Sequence, residues 1–116
     1  MLFVLMGMDR PGDGAEIRRR NRAAHLQFVV ENEDKFRYGG ALLDDDQKMV
    51  GSLMMVELPD RAALDEFLRT EPYSRAGLFE PYVVREMRQV VPQPQPGFLP
   101  AELAREKASG EKARAG

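Results

Sequence analysis

Residues 36–58, "FRYGGALLDDDQKMVGSLMMVEL", decide the fold. Two apolar runs, 36–43 and 48–58, flank the polar turn "DDDQ" at 44–47. They read as two successive strands, the first interrupted by Gly39-Gly40, which suggests a bulge or a close backbone approach. On the N-terminal side a helix is expected over 15–32. Ile17, Asn21, Ala24 and Phe28 recur there at helical spacing, with His25 and Val29 on the flank of that face and Arg19 and Arg20 outward. Before it, "DRPGDG" (9–14) is a turn cluster and the apolar run 2–8 a strand. On the C-terminal side Pro59-Asp60 opens a second helix, with Asp60 as N-cap and Leu64, Phe67 and Leu68 as its apolar stripe. Pro72 ends that helix, because the residue before a proline is pushed out of the helical region. "SRAGLFE" (74–80) is a connector, and "YVVREMRQVV" (82–91) is the fourth strand.

The order is β-α-β-β-α-β, a split pair of βαβ units. It predicts an α+β, ferredoxin-like sandwich: a four-stranded antiparallel sheet with both helices on one face. "LFVLM" and "SLMMV" do not alternate apolar with polar, so both sheet faces want cover. Two helices cover one face. A second copy of the chain is the simplest cover for the other, and a homodimer or higher homo-oligomer is expected.

Residues 1–91 are expected to form one domain and 92–116 a tail. The tail begins "PQPQPGFLP" and ends in small and charged residues. Its prolines imply an extended segment, and "PAELAREKA" reads as a short helix or as part of a disordered tail. Phe98 and Leu99 are the residues expected to dock it on a partner subunit.

Composition narrows the function. The net charge of −2 gives no electrostatic case for nucleic acid. The absence of cysteine removes disulfides, thiol chemistry and Cys-based metal sites, and one histidine leaves no His cluster for a metal. No metal site is expected from this composition. The opening apolar run is too short to span a bilayer and lacks the pattern of a signal peptide, so a cytoplasmic protein without membrane contact is expected.

His25, in "RAAHL" (22–26), is the one imidazole, a group that exchanges protons near neutrality. It is either an acid–base group or a structural histidine bonded to a backbone carbonyl. Glu71, just before Pro72, is either its orienting carboxylate or an exposed helix-end residue. Arg22, three residues before His25, is placed to hold a substrate carboxylate, or is simply solvated. Gly40 and Ser52 offer amides for an anion, or mark a bulge in a twisted sheet. "DDD" (44–46) matches no cation-loop spacing.

These stretches recur in a familiar order: "MLFVLMGMDRPG", "RAAHL", "GGALLDDD", "GSLMMVE", "EPYSRAGLFE" and "VREMRQVV". Over residues 1–91 the chain resembles the YCII-related (YciI-like) family. The resemblance implies a ferredoxin-like fold assembled as a dimeric α+β barrel. It also implies an active site built on His25 and Glu71, with Arg22, Gly40, Ser52 and Tyr73 lining the same region. Three positions depart from the family pattern: glutamate for the usual aspartate at Glu71, Ala41 for a proline, and Met87 for a tryptophan. The better-understood relatives are cofactor-independent lyases or isomerases of aromatic breakdown, so a small organic acid or lactone is the implied substrate. A non-catalytic dimeric binding module is the alternative, and cofactor-free oxygenase chemistry a third reading.

Overall fold

The computed structural model describes residues 1–115; Gly116, the end of the expected tail, lies outside the described residues. Four strands, β1 (Leu2–Asp9), β2 (Phe36–Leu43), β3 (Met49–Glu57) and β4 (Phe79–Glu86), form one antiparallel sheet in the order β2-β3-β1-β4. Between them run α1 (Gly14–Glu31), a 3₁₀ turn (Glu33–Lys35), α2 (Arg61–Thr70) and α3 (Pro72–Arg75). This is the ferredoxin-like α+β arrangement expected from the element order.

The pleat sorts the side chains. Phe3 and Leu5 of β1 and Met54 and Val56 of β3 point to one face and are buried. There they meet Leu64 and Phe67 of α2, with Ile17 and Phe28 of α1 packed around them. Asp60 caps α2 by accepting from the Ala63 amide at 2.8 Å, as the sequence indicates. On the opposite face Met6, Met8 and Val83 remain about 42% exposed, so apolar surface is left uncovered there. Gly7 is required where it stands: a Cβ on it would meet the Phe79 side chain at 2.4 Å.

Several expectations are corrected. β4 starts at Phe79 and ends at Glu86, not 82–91. It is an edge strand, so Pro81 removes no needed donor. Its pairing with β1 closes at the start of that strand, where the Met87 amide bonds the Leu2 carbonyl. "SRAGLFE" is accordingly divided between α3 and β4 rather than forming a connector. Gly39 and Gly40 pair in register with Met54 and Leu53, and the irregularities flank them, between Phe36 and Tyr38 and between Leu42 and Leu43. On α1 Ala24 is exposed, while Arg18 is buried and His25 turns inward. The tail carries an 18-residue helix, α4 (Phe98–Ala115), longer than the short segment expected. Its run of Ala, Glu, Lys and Arg after Pro100 favours helix throughout. Asp44 closes the "DDDQ" turn by accepting from the Asp46 and Lys48 amides at 2.8 and 3.0 Å. Among the described residues no helix is long and apolar enough to cross a membrane.

Candidate active site

A cavity of about 390 Å³ lies between α1 and the β2–β3 side of the sheet. Arg18, Arg22, His25, Gly40, Ser52 and Tyr73 all line it.

Glu71 sits behind this lining and is fully buried. The chain breaks between α2 and α3 there, as the following proline requires, and Glu71 becomes the N-cap of α3 with Pro72 at its first position. Its Oε1 accepts from the Tyr73 amide (3.1 Å), and its Oε2 from the Ser74 amide (2.7 Å) and hydroxyl (2.8 Å). The helix-stopping motif thus fixes the carboxylate. His25 Nδ1 lies 2.5 Å from Oε1, across 46 positions of sequence. Burial pushes the Glu71 carboxyl up, but the hydrogen bonds from His25, Ser74 and Tyr73 outweigh it and hold the group below the ordinary carboxylate range. An ionised Glu71 has no proton to share, so the hydrogen in the pair sits on His25 Nδ1. Nε2 has no partner among the described residues and is the ring's free basic position in the neutral form.

Two further hydroxyls extend the network. Ser74 spends its hydrogen on Glu71, so Tyr82 donates to Ser74 Oγ at 2.7 Å. Burial pushes the Tyr82 hydroxyl well above its usual range, which keeps it a donor. Tyr73 stacks on His25, with ring centroids 4.1 Å apart and planes 14° from parallel. It holds the imidazole plane from the side while Glu71 holds its edge.

Arg18 is a central residue that periodicity missed. Its Nε and Nη2 grip Asp9 at 2.7 and 2.8 Å, and Nη2 also reaches the Gly51 carbonyl and Ser52 Oγ. Ser52 therefore lines the cavity with its oxygen already accepting from Arg18. Burial lowers the Arg18 pKa, yet Asp9 and Tyr73 more than offset it and the guanidinium stays charged. A signal was present: Arg18, Arg22 and His25 follow one another at i, i+4 and i+7 on one helix face. Arg22 is exposed at the rim, its Nη1 3.3 Å from Met49 Sδ. Gly40 leaves space, since a Cβ there would meet nothing within 4 Å.

Among solved structures, the chain is 32% identical to 5-chloro-2-hydroxyhydroquinone dehydrochlorinase from Burkholderia phenoliruptrix AC1100, in complex with 2,5-dihydroxybenzoquinone. That match covers 77% of this chain and 95% of the other, with a TM-score of 0.67. A dimeric ferredoxin-like protein of unknown function from Jannaschia sp. CCS1 matches at 19% identity and a TM-score of 0.46, over 76% of this chain and 98% of that one. No curated protein matches. The family model of the YCII-related domain matches residues 1–88. With three quarters of its length matched by that model, and a dehydrochlorinase of the same fold at 32% identity, the chain belongs to the YCII-related family.

Proposed function

We propose that this chain is a small-molecule enzyme of lyase or isomerase type that works by proton transfer without a cofactor. The observation that carries this reading is the His25–Glu71 pair: a buried, ionised carboxylate holding an imidazole that lines the cavity. His25 Nε2 takes a proton from a carbon next to a carbonyl. The C–H electron pair becomes the double bond of an enolate, and the negative charge moves to the carbonyl oxygen. The enolate then expels a leaving group from the adjacent carbon, or takes a proton back at another carbon. Glu71 fixes the ring and stabilises the imidazolium that forms. Arg22 at the rim, with Gly40 and Ser52 along the wall, accommodates a small organic acid or lactone. The dehydrochlorinase relative supports elimination as the reaction class. The exposed Met6, Met8 and Val83 face takes a second copy of the chain.

The test is turnover of a panel of chlorinated hydroquinones and lactones, followed by chloride release and absorbance. His25→Ala should lower kcat/KM by about 10²–10⁴-fold. A loss below about tenfold at unchanged fold rejects His25 as the proton carrier and favours a binding module.

A further inference from the structure

Among the described residues, Tyr73 Oη is a buried side-chain oxygen with no hydrogen-bond partner. A buried hydroxyl left unpaired costs stability, so its retention asks for a reason. The neighbouring hydroxyls are satisfied: Tyr82 bonds Ser74, and Ser52 bonds Arg18. Tyr73 is also not free to turn away. Its ring is stacked on His25 and meets Phe79 edge-on, at 84° and 6.0 Å between centroids.

Beside it stands a second set of unspent donors. The Arg18 carbon Cζ is 4.9 Å from the Tyr73 ring centroid. Arg18 commits Nε and Nη2 to Asp9, Gly51 and Ser52, and Nη1 takes no partner among the described residues. Both residues line the cavity at its buried end, while the exposed Arg22 and Arg37 mark the rim. A phenol O–H and a guanidinium N–H at the same end of the cavity match an anionic oxygen.

We propose that Tyr73 Oη and Arg18 Nη1 form the seat for a ligand's charged oxygen, and that the ligand is a small organic anion of enolate or phenolate type. This deepens the proposed function, because an enolate oxygen is where proton abstraction by His25 would leave the charge. The seat itself is a binding site and is measurable without turnover.

The experiment is calorimetric titration of the full chain at neutral pH with 2,5-dihydroxybenzoquinone, whose hydroxyls are vinylogous acids and ionised there, and with 2,5-dimethoxybenzoquinone, which has none. Each is run on wild type and Tyr73→Phe, a change that keeps the ring stacked on His25. The expected result is dihydroxy binding about 10- to 100-fold weaker in Tyr73→Phe, with the dimethoxy compound indifferent to the change. The unliganded Tyr73→Phe should melt at or above wild type, because it removes an unpaired hydroxyl. Equal dihydroxy affinity in both proteins, or no saturable binding to wild type, overturns the proposal. So does a variant melting several degrees lower, which would assign the hydroxyl to a structural water. The two readings fail separately. Binding through Tyr73 with turnover unaffected by His25→Ala keeps the seat and rejects the proton transfer. Loss of turnover on His25→Ala with binding indifferent to Tyr73 does the reverse.

Discussion

Replacing Glu71 with glutamine keeps the shape of the side chain and removes its charge. The carboxylate accepts four hydrogen bonds, two on each oxygen: His25 Nδ1 and the Tyr73 amide on Oε1, the Ser74 amide and hydroxyl on Oε2. An amide has one oxygen. In either orientation its NH₂ group faces two donors, so two bonds to a buried anion are lost. Each is worth about 1.5–3 kcal/mol. The Ser74 hydroxyl and the imidazole can each reverse a role and recover part of this, which leaves a net loss of about 3 kcal/mol. At about 4–8 °C per kcal/mol, Glu71→Gln should melt about 12–24 °C below wild type near neutral pH, read by circular dichroism. The pH dependence has a definite sign. The folded Glu71 carboxyl lies below its ordinary range, so its stabilisation is complete above that range and is lost as pH falls through the folded value. The gap between wild type and Glu71→Gln should be widest near neutrality and narrow on acidification. A gap within about 3 °C near neutrality, or one that widens in acid, refutes the buried-carboxylate account.

Arg18→Met strands Asp9, whose side chain is 10% exposed, and should cost about 3–5 kcal/mol in urea unfolding, with much of the loss recovered in Arg18→Met/Asp9→Leu. Met6→Glu places a charge on the open sheet face and should convert a dimer to a monomer in sedimentation velocity while the melting temperature of the monomer fold persists. Tyr82→Phe removes the donor to Ser74 and should cost about 1 kcal/mol in thermal or urea unfolding. In alkaline titration Tyr82 should give no phenolate absorbance until the chain unfolds, because burial holds its hydroxyl up.

The sheet and its two covering helices were legible because strands and helices repeat at different periods and because Pro59, Asp60 and Pro72 punctuate them. The ends of β4 were not. A strand runs as far as its neighbour pairs with it, and Glu86 pairs with Phe3 of β1, 83 positions earlier in the chain. Arg18 escapes the periodic pattern for a related reason. Periodicity sends arginine outward, and Asp9, at the end of β1, supplies the opposite charge that makes its burial tolerable. The contact of His25 with Glu71 has no spacing rule behind it. It depends on α1 and the α2–α3 junction docking on the same sheet face; residue type and position make the two residues candidates with two readings each, and the family resemblance favours the pair. The length of the tail helix is hard to read because prolines at 92–100, which imply extended chain, stand directly before strong helix formers.

One wall of the cavity is the edge of the sheet. Among the described residues β2 hydrogen-bonds to β3 on one side and to no strand on the other, and it carries Gly39 and Gly40 at its middle. The opposite wall, α1, is tied down by Arg18 and His25. The two sides of the cavity therefore differ in stiffness: the ionic side is anchored to the core, and the glycine side hangs from a single ladder. Bulk added to a ligand on the β2 side meets a wall that yields by bending one strand, while bulk added toward Tyr73 meets packed aromatic rings. Amide exchange at Gly39 and Gly40 should accordingly be fast in the empty protein, and slow on filling in proportion to how far the ligand reaches toward that edge.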